Sequence, residues 1–214
     1  MKKIGLALSG GGFRATLYHL GLARFLRDAG LLSKVTHITS VSGGSIFAAH
    51  LLLHWDRYNG STSDFDAAAS ELLRFIRMDV RNRIMRRFPL LIPARGARWL
   101  LRLSNRKLTR TGLLEYHYEK YLYGDASLFE LPERPVLHIL ATNLSEGCLC
   151  SFSRNGLLRM RRQSRSSLRI HRLQVGLATV PMAVTASWGT VRRVRKLVRG
   201  APWLPGGQGY RILQ

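Results

Sequence analysis

Residues 4–14 read IGLALSGGGFR, an unbroken apolar run that stops at three consecutive glycines. Such a run is typical of a strand buried on both faces, so Ile4 to Leu8 is predicted as the first strand. A helix with its apolar stripe on the core is predicted to follow and to stop near Gly30. The residues at helical spacing that predict this stripe are Phe13, Leu17, Leu20, Gly21 and Phe25.

A second strand, turn and helix follow about one crossover later along the chain. Residues 35–45 read VTHITSVSGGS, in which β-branched residues end at a serine and two glycines. Val35 to Val41 is predicted as a strand, Ser42 as its turn, and Ile46 to Trp55 as the next helix. Two strands joined by a helix form a right-handed parallel unit, so both turns lie at the carboxyl ends of adjacent strands, where open parallel sheets bind ligands.

The residue types in the two turns fit the chemistry of ester cleavage. A serine hydroxyl is a weak nucleophile, so a tight strand-to-helix turn must hold it exposed, with small neighbours such as Gly43 and Gly44. Attack on an ester creates an oxyanion, and the amide groups of Gly10, Gly11 and Gly12 at a helix start can donate hydrogen bonds to it. The serine turn therefore predicts a nucleophile, and the glycine run predicts an oxyanion hole.

Each turn also has a simpler explanation. A glycine run after a strand also opens nucleotide-binding loops, and this run keeps Gly10 and Gly12 with Ala15 at the last glycine position of GxGxxG, which that pattern tolerates. No Lys-Ser or Lys-Thr pair closes the run, so a Walker-type phosphate loop is excluded. Ser42 can equally be a simple turn serine or the N-cap of the next helix.

Four stretches of the chain resemble the patatin-like phospholipase family of lipid acyl hydrolases: LALSGGGFRATLYHLGLARFL, ITSVSGGSI, ILATNLSEG and VGLATVPMAVTAS. The resemblance spans residues 4–187. It implies a three-layer α/β/α sandwich with a mainly parallel central sheet and a Ser-Asp catalytic dyad. It also implies Ser42 as the nucleophile, Gly10 to Gly12 as the oxyanion hole and Arg14 as a support for the glycine loop, with no cofactor or metal ion. Ser40 stands where the family's GxSxG pattern has its first glycine, and a small side chain fits at that strand end.

The catalytic aspartate of the family has no counterpart in this sequence. In the family it follows the segment that VGLATVPMAVTAS resembles, in a DGG or DGA turn, whereas the last aspartate here is Asp125 and the last acid is Glu146. We therefore expect a family-like domain over residues 1–187, incomplete at its C-terminal end, and a basic tail over residues 188–214 that does not match the family. A frameshift would explain the break, and another frame of the gene should then encode Asp-Gly-Gly or Asp-Gly-Ala downstream.

A serine without its partner acid needs another base. Removing one member of a catalytic unit costs about 10,000-fold or more in rate. His37 lies within a strand, and His50 and His54 lie two or more helical turns beyond the serine, so each favours a packing or surface role. Glu146, after a predicted strand end, is a weak candidate. The sequence therefore predicts a serine-dependent acyl-ester hydrolase of phospholipids or related lipid esters, and the alternatives are a catalytically inactive member of the family or a basic protein that binds membranes or nucleic acid.

Basic residues dominate the charge of the chain. There are 34 Lys and Arg against 12 Asp and Glu, a net charge of +22, and 13 of the basic residues lie from Arg154 onward, where acids are absent. A further 12 lie between Arg74 and Arg110 against one acid, Asp79. The high charge is therefore concentrated in two parts of the chain.

The first of these parts predicts a long amphipathic helix from Asp64 or Asp66 to Phe88, followed by a second basic segment from Arg95 to Leu103. Apolar residues recur there at every fourth position among arginines, at Leu72, Ile76, Val80, Ile84 and Phe88. Such a helix either packs its stripe on the core or docks on anionic lipid, to which each basic residue near the membrane adds about 1 kcal/mol. The expected partners are a lipid substrate and an anionic membrane surface.

The sequence lacks the motifs that are typical of several other classes of protein. Nucleic acid is not expected as a partner, because no helix-turn-helix, zinc or RNP pattern organises the arginines. Cys148 and Cys150 are too few for a zinc site. Lys2 and Lys3 precede a predicted strand and not a signal peptide, and no stretch is long and apolar enough to span a bilayer. We expect a protein that is cytoplasmic or peripheral to the membrane, and the sequence carries no signal for its oligomeric state.

Overall fold

The structure is a computed structural model that describes residues 3–87, 92–93, 96, 110–143, 148–159 and 169–171. The strands are β1 (Ile4–Leu8), β2 (Val35–Ser40), β3 (Val136–Asn143), β4 (Cys148–Ser153), β5 (Gly156–Arg159) and β6 (Arg169–His171). The helices are α1 (Gly12–Asp28), α2 (Gly43–Leu53), α3 (Trp55–Asn59), α4 (Thr62–Arg77), α5 (Val80–Arg87) and α6 (Arg110–Tyr118). Short 3-10 turns lie at Leu32–Lys34 and Leu128–Glu130, and a π-helical turn, Glu119–Tyr123, continues α6.

The described strands form one mixed sheet in the order β1 to β6. β1 is parallel to β2 and β2 to β3, whereas β3, β4, β5 and β6 pair antiparallel in succession. Helices flank the sheet, so the predicted α/β class is confirmed. Leu8 at the end of β1 pairs with Ser40 at the end of β2. The glycine turn and the serine turn therefore start side by side at one edge of the parallel half.

The apolar run of β1 predicted a strand buried on both faces, and this prediction was wrong. Gly5 and Ala7 are exposed, Ile4 and Leu6 are half-buried, and Leu8 is buried. Among the described strands β1 is an edge strand, with β2 as its one neighbour. One face of β1 therefore lies on the core, and the small residues of its other face lie at the surface of the described chain.

α1 buries a different face from the one predicted by its apolar residues. Leu17 and Phe25 of the predicted stripe are 40% and 66% exposed. The buried residues of α1 are Thr16, His19, Leu20 and Ala23. Two polar side chains thus point inward, and both hydrogen-bond to backbone carbonyl oxygens beside the serine turn.

α2 lies within the core, because every residue from Gly43 to Leu52 is buried. The Phe47 ring packs edge-to-face on Tyr58 of α3, with ring centres 6.0 Å apart. The hydroxyl of Tyr123, in the π-helical turn, donates a buried hydrogen bond to the Ile46 carbonyl oxygen at 3.0 Å. Burial raises the pKa of Tyr123 well above its usual value, so this hydroxyl keeps its proton. The second half of the described chain therefore holds the first turns of α2 in place.

The long amphipathic helix predicted up to Phe88 is two helices, α4 and α5. Asp79 lies between them with φ of 45°, a left-handed conformation that a helix cannot contain. α4 begins after Ser61, whose hydroxyl accepts a hydrogen bond from the Asp64 amide in a capping box. Leu72, Val80 and Ile84 of the predicted stripe are all buried. The two helices thus pack their apolar side on the core.

Several sequence predictions lie outside the described residues. These are Phe88 as the helix end, the basic segment Arg95 to Leu103 apart from Gly96, Glu146, and all of the domain boundary at residues 187–188. Among the described helices, none has the length and apolar character needed to cross a membrane. The division into residues 1–187 and 188–214 stays a prediction.

Tyr123→Phe should lower the free energy of unfolding by about 1 kcal/mol, the typical worth of one hydrogen bond. The ring stays and only the bond to Ile46 is lost. Tyr121→Phe is the matched control, because Tyr121 lies two residues away and is 40% exposed. Urea unfolding of the two variants measures the difference. Equal stability of both variants would show that the Tyr123 hydroxyl does not hold α2.

Candidate active site

The glycine turn and the serine turn meet at the carboxyl ends of β1 and β2. The Val41 amide donates to the Leu8 carbonyl oxygen at 3.0 Å, which extends the pairing of the two strands by one residue. A Cβ atom on Gly10 would lie 3.2 Å from the Ser42 Cβ and 3.9 Å from its Oγ. The two turns that the sequence analysis paired are thus in direct contact, with Gly10 facing Ser42.

Ser42 has a strained backbone at the start of α2. Its φ of 50° and ψ of −118° are rarely adopted by residues other than glycine. Such strain costs about 1–3 kcal/mol and persists only where the surroundings hold the residue in place. The Ser42 side chain makes no N-cap hydrogen bond, although the residue is the N-cap of α2. The capping role that the sequence left open is therefore absent, and the partly exposed hydroxyl does not bond to the helix.

The glycine loop ends in the first turn of α1. Gly11 and Gly12 have φ of 140° and 62°, which L side chains rarely adopt. The first amide groups of a helix have no intrahelical acceptor and form the positive end of its dipole. Gly11 is the N-cap of α1, with no side chain to bond these amides. Within the described part of the chain these N–H groups have no acceptor, and their role as an oxyanion hole beside the serine turn stays a prediction.

Gly43 and Gly44 let α2 approach the backbone of the glycine loop. A Cβ on Gly43 would overlap the Gly12 carbonyl group and lie 2.8 Å from the Gly12 nitrogen. A Cβ on Gly44 would lie 2.6 Å from the Ser9 carbonyl oxygen. Neither neighbour is a side chain that can move aside. Both positions therefore require glycine because of space, and Ser42 reaches the glycine loop only through this close approach.

Two polar residues of α1 fix the contact and were missed in the sequence analysis. The fully buried Thr16 has its Oγ1 at 2.9 Å from the Gly43 carbonyl oxygen and 3.2 Å from that of Gly12. His19 Nε2 lies 3.0 Å from the Ser9 carbonyl oxygen, which can only accept, so this nitrogen carries the hydrogen. In the sequence, the signal for this pair was their spacing of three residues, which places both side chains on one face of a helix.

Arg14 lies exposed in the first turn of α1. Among the described residues its guanidinium makes no hydrogen bond or ion pair, with the glycine loop or with any other group. Its support of the loop stays a prediction. The arginine does place a positive charge next to the positive end of α1, where an anionic group would be favoured.

Among the described residues no side chain that could act as a general base hydrogen-bonds to Ser42. His37 is exposed on β2 and lies 3.0 Å from the Thr36 hydroxyl. His50 lies eight residues along α2 from Ser42, which corresponds to about 12 Å of helix. Its Nδ1 lies 3.0 Å from the Tyr58 hydroxyl, and burial lowers its pKa to about 3. The predicted packing role fits His50, and no described carboxylate hydrogen-bonds to Ser42.

A family model described as patatin-like phospholipase matches residues 6–158, which include both turns and the strands β2 to β4 in full. The chain belongs to the patatin-like phospholipase family. The resemblance stated from the sequence is thereby confirmed for this family. Its continuation from residue 159 to residue 187 stays a prediction, as does the absence of a counterpart to the family's aspartate.

Solved structures of a human phospholipase have a similar fold. Human GIVD cytosolic phospholipase A2, in complex with methyl γ-linolenyl fluorophosphonate, is 17% identical with a TM-score of 0.55 over 99% of this chain. The same protein with that inhibitor and terbium chloride is 18% identical with a TM-score of 0.54 over 94% of this chain. This chain spans about a third of the length of either structure, with 34% and 33% covered. No curated protein matches the sequence significantly.

Gly43→Ala should destabilise the patatin-like domain strongly, by about 3 kcal/mol or more, because its methyl group meets backbone atoms of Gly12. Gly21→Ala is the matched control. Gly21 lies in α1, and a methyl group added there would have no neighbouring atom within 4 Å, so this change should stabilise the helix by about 0.5–1 kcal/mol. Chemical denaturation of both variants gives the two values. A Gly43→Ala protein as stable as the wild type would disprove the close contact.

Proposed function

We propose that this chain is a serine-dependent acyl-ester hydrolase that acts on phospholipids or related lipid esters. One observation supports this most: the hydroxyl of Ser42 faces Gly10 across the contact between the serine turn and the glycine loop. Membership of a family of lipid acyl hydrolases supports the substrate class. The strained, uncapped state of Ser42 supports a role in chemistry, because a structural serine at a helix start would cap it.

The proposed reaction uses the serine turn first and the glycine loop second. Ser42 Oγ attacks the carbonyl carbon of the ester, and the electron pair of the C=O bond moves onto its oxygen. The amides of Gly10, Gly11 and Gly12 donate hydrogen bonds to this oxyanion, and each such donor is worth roughly 100- to 1,000-fold in rate. The C–O bond to the alcohol then breaks, and water later releases the acid from Ser42. The hydroxyl proton must pass through a base to the leaving alcohol.

An inactive family member is the second candidate, favoured by a specific observation. The described residues hold no base within hydrogen-bonding distance of Ser42, and the sequence has no acid after Glu146. A nucleophile and an oxyanion hole without a base retain roughly 1,000- to 10,000-fold catalysis over water, a rate about 10,000-fold or more below that of the complete set. The two candidates therefore differ in turnover and in the reactivity of Ser42.

Wild-type protein should react covalently with a fluorophosphonate probe and hydrolyse a short-chain p-nitrophenyl ester, and Ser42→Ala should abolish both. Ser45→Ala is the matched control, because Ser45 lies one turn further along α2 with no hydrogen-bond partner for its buried Oγ among the described residues. Mass spectrometry locates the adduct, and absorbance measures release of the nitrophenol. Folded wild-type protein that neither labels nor turns over would establish the inactive member. Equal activity in Ser42→Ala would exclude Ser42 as the nucleophile.

We also propose that the outer side of α4 and α5 docks on an anionic membrane surface, with the protein cytoplasmic or peripheral to that membrane. Arg74, Arg77 and Arg86 are exposed on these two helices. Within the described ranges none of the three forms an ion pair, whereas Arg24 pairs with Asp28 and Asp66. Unpaired arginines keep their charge available for phosphate groups. A lipid hydrolase must also meet its substrate at an interface.

The double variant R74Q/R77Q should bind phosphatidylglycerol-containing vesicles roughly 30-fold more weakly, at about 1 kcal/mol for each lost charge. R24Q is the matched control, since its charge is already paired, and should bind as the wild type does. Vesicle sedimentation at low and high salt measures the affinity. Binding that does not fall as salt rises, or that is unchanged in the double variant, would contradict the electrostatic docking.

A further inference from the structure

Three metal-ligating side chains come together at the far end of α2. His50 lies in the last turns of this helix, His54 directly follows it as the C-cap, and Glu71 projects from α4. Their ligand atoms all lie within 4.8 Å of one another. The two imidazole rings are 4.6 Å apart, and His54 Nε2 lies 3.9 Å from Glu71 Oε2. Two imidazoles and one carboxylate form a donor set that Zn²⁺ commonly uses.

His50 is already oriented by a second residue. Its Nδ1 lies 3.0 Å from the buried Tyr58 hydroxyl, and when Nδ1–H donates to the Tyr58 oxygen the lone pair of Nε2 is left for a ligand. Ring nitrogens that bind metal ions usually have their other nitrogen held in this way, which fixes the ring. His50 is 1% exposed, so its ring has little freedom to move away from the cluster.

Arg57 limits the affinity of this cluster for a cation. Its two terminal nitrogens donate to Glu71 Oε2 and Oε1 at 3.0 and 2.9 Å. A carboxylate has about four acceptor positions, so Glu71 can keep these bonds and still coordinate an ion. The guanidinium charge nevertheless repels a cation at short range. Because coordination by Glu71 and repulsion by Arg57 oppose each other, we expect a site of moderate affinity for the ion and not a permanently filled one.

We propose that His50, His54 and Glu71 bind a divalent transition-metal ion of the Zn²⁺ class, with water in the remaining position. Mg²⁺ and Ca²⁺ prefer oxygen ligands throughout, so the two imidazoles select against them. His54 and Glu71 are partly exposed, which gives the ion a path from solvent. Because α2 starts directly after Ser42, the ion would tie the far end of the serine-bearing helix to α4.

The test is a calorimetric titration of the whole 214-residue chain with Zn²⁺ alone after treatment with a chelator. One saturable site is expected, with a matching rise in Tm at saturating Zn²⁺. Co²⁺ should give the visible absorption bands of a four-coordinate site with nitrogen and oxygen ligands. Titration with Mg²⁺ at the same concentration should show no such site.

H54Q and E71Q should each weaken Zn²⁺ binding at least tenfold and remove the Tm rise. Both side chains are partly exposed, so the variants should fold, and circular dichroism checks this. H37Q is the matched control, because it removes an exposed histidine of β2 outside the cluster, and it should bind as the wild type does. Absence of a saturable site in the wild type, or equal affinity in H54Q, would overturn the proposal. None of these readouts depends on ester hydrolysis.

Discussion

The backbone contact between the start of α2 and the glycine loop positions every other part of the candidate site. Gly43 packs against Gly12, and Gly44 packs against the carbonyl groups of Leu8 and Ser9, at distances that leave no space for a side chain. Thr16 bonds to the carbonyl groups of both turns from its buried position in α1. The separation of Ser42 from the loop is therefore set by rigid backbone and not by flexible side chains, as the proposed oxyanion hole requires.

The sequence was sufficient to predict the fold class and the edge of the sheet that carries the site. Both depend on local patterns, namely apolar β-branched runs that end at glycine or serine turns. Parallel pairing of consecutive strands then places their turns on one edge, and the pairing of Leu8 with Ser40 agrees with this. The family match over residues 6–158 covers these same two turns and β3.

What the sequence did not predict depends on partners that are distant along the chain. The buried face of α1 contains Thr16 and His19, because carbonyl groups of the turns satisfy their polar atoms. A pattern of apolar residues alone selects a face rotated toward Leu17 and Phe25, which shares Leu20 with the buried face. The break between α4 and α5 is at Asp79, where neither glycine nor proline gives a signal. The spacing of His50 and His54 is visible in the sequence, but only the packing of α4 on α3 brings Glu71 to them.

The burial of α2 also determines how the serine turn can lose its shape. All residues from Gly43 to Leu52 are buried, so this helix cannot fray or shift without opening the core around it. Segments of this kind exchange their amide hydrogens only when the whole domain unfolds, whereas exposed loops open locally at little cost. Ser42 is thus attached to a helix that is buried from Gly43 to Leu52. Its strained conformation persists as long as the domain is folded, and it disappears together with the core in a single transition.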